Sequence, residues 1–233
     1  MKGREWYQED ETAEQYDEWR FSKGGAVIDD AERRALRDAV GDVEGDRVLE
    51  CACGTGRFSV ELAEAGADVV GVDISRPMLE QAAAKARETG VTPMPSFVRG
   101  DGKRLPFPDD AFDLVVAMRF FHLVDEPRAY LSEMARVSRG PVFFDTFSAP
   151  SARLLYNRFL PMGSHLYTDD EVEAFVDAED LRIVEHAADF FFPFGLYRIT
   201  PRAVASGLRE VDDAIQSVGG DALGSVTYWR VER

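Results

Sequence analysis

The stretch LECACGTGRF, residues 49–58, decides the fold. The apolar run RVLECA (47–52) is typical of a buried strand, and it gives way abruptly to Gly54-Thr55-Gly56, after which a helical pattern begins. A strand that turns into a helix through G-x-G presents bare backbone N–H groups and a helix N-terminus to a ligand. The stretch therefore predicts a ligand-binding turn at the carboxyl edge of a sheet.

The two cysteines in this stretch, Cys51 and Cys53, are the only ones in the chain. C-x-C supplies too few ligands for a structural zinc site, and no histidine lies near it in sequence. In a strand, both side chains point to the same face, with Ala52 on the other. We interpret both cysteines as small buried residues and predict no metal site.

Strands and helices alternate from residue 46 to about 147. The further strands predicted there are ADVVGVD (67–73), SFVRGD (96–101), FDLVVAMRF (112–120) and PVFFDTF (141–147). Ser75 is predicted to cap the helix after the second strand, and Thr168 to cap a later one. Buried strands separated by helices form right-handed βαβ units, which predicts a parallel sheet covered on both faces.

The chain has 233 residues with 45% hydrophobic content, which can bury a substantial core and is enough for one large domain or a domain with a modest cap. We expect a single α/β domain and divide it into a helical leader or lid (1–45), a cofactor-binding core (46–147) and a substrate insert with the C-terminal strands (148–233). No apolar run approaches the roughly 20 residues of a membrane span. The polar N-terminal stretch lacks the apolar segment of a secretory signal, which predicts a cytoplasmic location.

The charge is strongly acidic, with 43 acidic against 27 basic residues and a formal net charge of −16. This argues against binding to nucleic acid or to an anionic membrane surface. Only four of the bases are lysines. Many acids with few lysines favour a halophilic source, while a GC-rich genome with an ordinary acidic surface is the alternative.

Three acids strengthen the weak signal of the G-x-G turn. Glu50 precedes the turn, and Asp73 ends the next strand, 17 residues after Gly56, where a carboxylate can bind two ribose hydroxyls. Asp101 ends the third strand. A nicotinamide dehydrogenase shares the first two features, but it usually has G-x-G-x-x-G, where this chain has Ser59, and the chain has no Tyr-x-x-x-Lys pair for hydride transfer.

Three segments in order resemble the class I S-adenosylmethionine-dependent methyltransferases. They are VLECACGTGRFSVELAEAGADVVGVDISRPMLEQA (48–82), GDGKRLPFPDDAFDLVVA (100–117) and EMARVSRGP (133–141). They look most like the small-molecule branch that includes the ubiquinone and menaquinone biosynthesis type. The family pattern reads acid-x-G-x-G-x-G. Glu50, Gly54 and Gly56 match it, and Ala52 replaces the first glycine.

The resemblance implies a Rossmann-like sheet of seven strands in the order 3-2-1-4-5-7-6. That sheet is mostly parallel, with the last strand antiparallel between its neighbours, helices on both faces and a small helical cap. The resemblance also implies S-adenosyl-L-methionine as cofactor. Asp73 would bind its ribose, Ile74 would pack on its adenine and Asp101 would accept from the adenine amino group. The full implied cofactor-binding set is Glu50, Ala52, Cys53, Gly54, Thr55, Gly56, Asp73, Ile74, Met78, Asp101, Gly102, Met118 and Arg119.

The parts outside the resemblance are expected to select a small-molecule acceptor. An apolar pocket is predicted from the aromatic residues Tyr16, Trp19, Phe120, Phe121, Tyr156 and Phe159. Ordinary core packing is the alternative for each of them. His122 follows the fourth strand and is the candidate general base, with a packed or solvated loop histidine as the alternative. The aromatic cap favours an apolar or aromatic acceptor, while Arg20, Arg153 and Arg198 leave a charged one open.

Two other functions compete with small-molecule methylation. The first is an S-adenosylmethionine-binding protein without methyltransferase activity, to which only Ala52 points. The second is a methyltransferase acting on RNA or protein. The acidity, the lack of a basic extension and the lack of an Asn/Asp-Pro-Pro-Tyr motif argue against it. The sequence leaves the methylated atom and the oligomeric state open.

Overall fold

A computed structural model gives the structure of the chain and describes residues 10–151, 164–219 and 224–233. Within these ranges the helices are α1 (Asp10–Phe21), α2 (Gly25–Val40), α3 (Arg57–Glu64), α4 (Arg76–Thr89), α5 (Pro127–Val137), α6 (Asp169–Asp177), α7 (Phe194–Ile199) and α8 (Arg202–Gly219). The strands are β1 (Arg47–Cys51), β2 (Asp68–Asp73), β3 (Ser96–Arg99), β4 (Leu114–Ala117), β5 (Val142–Phe147), β6 (Arg182–Asp189) and β7 (Val226–Glu232). A short 3-10 helix spans Phe121–Leu123.

The seven strands form one sheet in the order β3-β2-β1-β4-β5-β7-β6, which confirms the order implied by the family resemblance. Neighbouring strands from β3 to β5 run parallel, and β7 is antiparallel to both β5 and β6. After β1 the chain moves outward to β3 and then returns to β4 on the other side of β1. Ligands bind at such a switch point, in the crevice outside the carboxyl ends of the two diverging strands.

The sheet is covered on both faces, because its central strands carry apolar side chains in both directions. One face packs Leu49 and Phe144 against α5 and α6, where Leu131 and Phe175 meet them. The other face packs Val48, Val69, Leu114 and Phe143 against α2 and α3, together with Leu36 and Phe58. All four residues of β4 are buried, as expected for the centre of a parallel sheet.

The fourth strand is shorter than predicted, ending at Ala117 instead of continuing to residue 120. Arg119 adopts a left-handed backbone conformation with φ of 60°. Its N–H donates to the carboxylate of Asp145 on the neighbouring strand. This side-chain acceptor takes the place of a strand partner and turns the chain away from the sheet.

Two predicted helix caps are confirmed. The Ser75 Oγ atom accepts a hydrogen bond from the Met78 N–H at 3.3 Å, with a proline in the first turn of α4. Thr168 caps α6 in a capping box, in which Glu171 returns a hydrogen bond to the Thr168 N–H at 2.8 Å. In the described part of the chain, no helix combines the length and apolar composition needed to cross a membrane.

Candidate active site

A cavity of about 1150 Å³, counting its open mouth, lies at the carboxyl ends of β1, β2, β3 and β4. Most residues that the sequence assigns to the site line it: Tyr16, Glu50, Ala52, Cys53, Gly54, Thr55, Asp73, Ile74, Met78, Asp101, Gly102, Met118, Arg119, Phe120 and His122.

The turn between β1 and α3 forms one wall of the cavity. Ala52, Gly54 and Gly56 have φ angles of 58°, 53° and 71°, so every second residue is left-handed. The Cys53 N–H donates to the Val72 carbonyl at 3.0 Å and anchors the turn to β2. Apart from Gly54 and its two chain neighbours, no described atom lies within 4 Å of the position that a Gly54 Cβ would occupy, so this backbone faces open space.

Gly56 does not line the cavity but begins α3, where a side chain has no room. A Cβ at Gly56 would lie 2.7 Å from the Ala82 Cβ atom of α4.

The backbone of Ala52 is strained, because Ala52 is an L-residue held in a left-handed conformation. Such a conformation costs about 1–2 kcal/mol outside glycine. The glycine of the family pattern is therefore the less strained residue at this position.

Asp73 joins the glycine turn to the end of β2. Its Oδ2 atom accepts from the Gly54 N–H at 2.9 Å, and its Oδ1 atom accepts from the Ser75 N–H at 2.8 Å. Asp73 also lines the cavity, so its carboxylate is placed to accept from a ligand there. Asp101, at the end of β3, is exposed and accepts from the Lys103 N–H at 3.0 Å.

Glu50 lies buried beneath the turn and accepts a hydrogen bond from the Ser59 hydroxyl. Burial raises the pKa of the Glu50 carboxyl to about 7, although the bond from Ser59 and the charge of Arg57 oppose the shift. Burial also raises the pKa of the Cys51 thiol to about 12 and that of Cys53 well above its usual value. Both thiols are therefore protonated at neutral pH and unsuited to nucleophilic chemistry.

A buried ionic cluster, which sequence reasoning missed, forms the floor of the cavity. The fully buried Glu32 of α2 pairs with Arg57 and, at 3.0 Å, with Arg119. Arg57 also pairs with Asp29, and these ion pairs raise its pKa although burial opposes them. Burial raises the pKa of Asp145, beside Arg119, to about 6. The sequence signal was weak, because charged residues on an amphipathic helix usually face solvent.

Helix α1 lies over the glycine turn. Asp17 accepts from the Thr55 hydroxyl at 2.7 Å and pairs with Lys85 of α4. This attachment places Tyr16, together with Arg20 and Phe21, on the cavity wall. The leader thus reaches the site. Phe21 was not predicted there, and Arg20 was named only as a residue that leaves a charged acceptor open.

Two of the predicted acceptor contacts do not line the cavity. Trp19 is 53% exposed, because its side of α1 faces solvent. Phe121 is fully buried in the core, with its ring centroid 4.6 Å from that of Phe144. Phe120 does line the cavity and packs edge-on against Tyr130 at 4.8 Å. The predicted contacts Tyr156 and Phe159 lie outside the described residues.

His122 lines the cavity in the 3-10 helix after β4. Its ring stacks on Phe147 with a centroid distance of 4.3 Å, and its side chain is largely buried. The backbone around it is fixed too, because the His165 N–H donates to the His122 carbonyl at 2.9 Å. The stacking fixes the plane of the imidazole beside the cavity.

The sequence profile of a family described as "Methyltransferase domain" matches residues 49–142. A demethylmenaquinone methyltransferase of Renibacterium salmoninarum is 40% identical over 133 residues, which cover 55% of this chain and 54% of the relative. A demethylmenaquinone methyltransferase of Thermus thermophilus is 33% identical over 198 residues, which cover 76% of this chain and 89% of the relative. The chain spans about half the length of the first curated relatives it matches.

Solved structures show the same fold. The magnesium protoporphyrin IX methyltransferase of Synechocystis PCC 6803, with bound SAH, superposes with a TM-score of 0.65 at 18% identity, covering 90% of this chain and 84% of its own. The strand order is therefore that of the Rossmann-like methyltransferase fold. Given the extensive match to the Thermus relative, the chain belongs to the class I S-adenosylmethionine-dependent methyltransferase family, in its quinone-biosynthesis-like branch.

Proposed function

We propose that this chain transfers a methyl group from S-adenosylmethionine to a small-molecule acceptor in the cavity described above. The observation that carries the proposal is the glycine turn held to Asp73 at 2.9 Å, beside open space over Gly54. This arrangement suits a ligand with both a ribose and an extended polar chain. The family membership and the names of the relatives support the same reaction.

The residues of the cavity fit the cofactor. Asp73 would accept from the ribose hydroxyls, and the turn from Ala52 to Thr55 would hold the methionine part. Ile74 and Met78 offer apolar surface for the adenine, and Asp101 lies at the neighbouring strand end as an acceptor for its amino group. When bound, the cofactor would supply a methyl group on a positively charged sulfur. The nucleophile of the acceptor would attack the methyl carbon in line with the carbon–sulfur bond, and the sulfur would leave.

The protein's own contribution is to align the acceptor and to exclude water. Tyr16 and Phe21 of α1, together with Met118 and Phe120, supply apolar walls on the acceptor side. The alignment of reacting groups and the exclusion of water lower the barrier without a universal catalytic side chain. His122, with its ring fixed by stacking, would act as general base for an acceptor that must lose a proton.

The remaining predictions from the sequence belong to the same proposal. They are a cytoplasmic location, a halophilic source, no nucleic-acid partner and the division into leader, cofactor core and substrate insert. The net charge of −16 supports the exclusion of nucleic acid. Ala52 in its strained conformation is the feature that favours the alternative, a cofactor-binding protein without methyltransferase activity.

A turnover assay tests the proposal. The protein is incubated with S-adenosylmethionine and the small-molecule fraction of a cell extract, and S-adenosylhomocysteine is measured by mass spectrometry. We expect the product to form with the extract, and to form far more slowly with the Asp73→Ala variant. Binding of the cofactor without product in any fraction would favour the non-catalytic alternative.

A further inference from the structure

Three guanidinium groups converge on one wall of the cavity: Arg20 of α1, Arg119 after β4 and Arg198 of α7. The pKa of Arg198 is lowered to about 9 by burial and by the neighbouring charges of Arg20 and Arg119. The close approach of like charges is unfavourable unless an anion accompanies them. The carboxylate of Glu32, which pairs with Arg119, offsets only part of this charge. This wall therefore carries an excess of positive charge in a protein that is acidic overall.

Arg198 differs from the other arginines of the cavity in its partners. Arg57 and Arg119 both pair with Glu32. The Arg198 Nε atom is buried and has no hydrogen-bond partner in the described part of the chain, and no carboxylate there pairs with this side chain. A guanidinium that lines a cavity and forms no ion pair with a carboxylate is a binding group for a planar or tetrahedral oxyanion.

The position of Arg198 places it on the acceptor side. Its guanidinium lies 5.8 Å from the ring centroid of Phe194, one turn earlier on α7. That ring packs edge-on against Phe147 at the end of β5, and His122 stacks on the same Phe147. The residues implied for ribose and adenine follow β2 and β3 instead, on the opposite side of β1.

We propose that Arg198, with Arg20 beside it, binds an anionic group of the methyl acceptor, either a carboxylate or a phosphate. The acceptor is then an anion with an apolar or aromatic body, which the neighbouring side chains Tyr16, Phe21 and Phe120 contact. This assignment rests on the proposed function and narrows its acceptor to a charged class. The carboxylate of the cofactor has the same chemistry and is the alternative ligand of Arg198. The experiment below distinguishes the acceptor's anionic group from the cofactor carboxylate.

The test is a titration with sulfate, a probe small enough to enter the subsite whatever the acceptor is. Binding is followed by calorimetry at constant ionic strength, with and without saturating S-adenosylhomocysteine. The variants are Arg198→Gln, which removes the charge, and Arg198→Lys, which keeps it. Arg182→Gln is the matched control, because Arg182 lies exposed on β6. Circular dichroism checks that each variant is folded.

We expect saturable sulfate binding that persists when S-adenosylhomocysteine is bound. The sulfate Kd should increase at least about tenfold in Arg198→Gln and less in Arg198→Lys, since a charge-assisted hydrogen bond is lost only in the first. Arg182→Gln should bind sulfate like the wild type. The Kd of S-adenosylhomocysteine should stay within about twofold of wild type in all three variants.

Several results would overturn the assignment. Sulfate binding that disappears once S-adenosylhomocysteine is bound, or a tenfold loss of S-adenosylhomocysteine affinity in Arg198→Gln, would assign the arginine to the cofactor carboxylate. If the wild-type protein binds no sulfate, or if the Arg198→Gln variant binds it normally, Arg198 forms no anion subsite. A wild-type protein that binds sulfate but not S-adenosylhomocysteine would contradict the proposed function and not the anion subsite.

Discussion

Replacement of Glu50 by glutamine is expected to change how the stability of the protein depends on pH. Glu50 is 2% exposed beneath the glycine turn, and burial raises its pKa from 4.5 to about 7. Between these values the folded state holds a proton that the unfolded state has released. The free energy of unfolding therefore falls as pH rises through this window, and it falls no further once Glu50 is ionised in both states.

The size of the effect follows from the shift. A pKa that is raised from 4.5 to about 7 corresponds to about 3 kcal/mol lost between pH 4 and pH 8. Glutamine has no proton to lose, so Glu50→Gln removes this loss. The amide can still accept from Ser59, and any fixed cost of burying its NH₂ group is the same at every pH. The free energy of unfolding of Glu50→Gln, relative to that of the wild type, should therefore rise by about 3 kcal/mol between pH 4 and pH 8.

Urea unfolding followed by circular dichroism at pH 4, 5, 6, 7 and 8 measures this difference. Glu88→Gln serves as the control, because Glu88 is exposed at the end of α4. Its replacement removes the same charge as Glu50→Gln. The control should follow the wild type at every pH. If Glu50→Gln also runs parallel to the wild type from pH 4 to pH 8, folding does not raise the pKa of Glu50 and the reasoning is wrong.

Three further predictions test single residues of the site. Asp73→Ala should weaken binding of S-adenosylhomocysteine at least about tenfold in calorimetry, because a charge-assisted contact to the ribose is lost; an unchanged Kd would place the ribose elsewhere. Ala52→Gly should raise the free energy of unfolding by about 0.5–1 kcal/mol, since relief of the left-handed strain exceeds the added flexibility of glycine; lower stability would contradict the strain. His122→Gln should slow methyl transfer about a hundredfold at unchanged cofactor affinity if the histidine is the base, and a wild-type rate would leave it a packing role.

The features that the sequence predicts correctly have local signals. The glycine turn follows an abrupt change from strand to helix pattern, and Ser75 and Thr168 are caps that act on backbone groups of their own helix. The strand order came from the family resemblance, which several motifs in sequence support. By contrast, β4 ends early because of Asp145 on another strand, a tertiary contact that no local pattern shows.

The errors at the site have the same origin. Trp19 and Tyr16 occupy one helix that mixes aromatic and charged residues without a clear apolar stripe, so the sequence does not fix which side faces the cavity. Phe120 and Phe121 are adjacent in a turn, where no periodicity separates a cavity-lining ring from a core ring. The pairing of Glu32 with arginines from two distant segments likewise depends on tertiary packing.

Calorimetric titration of the purified protein with S-adenosylhomocysteine and, separately, with NAD tests the central claim most directly. The geometry of the glycine turn, Asp73 and Asp101 predicts a single site for S-adenosylhomocysteine and no measurable heat from NAD. Tight binding of NAD, with no heat from S-adenosylhomocysteine, would contradict the account and would indicate a nicotinamide dehydrogenase site.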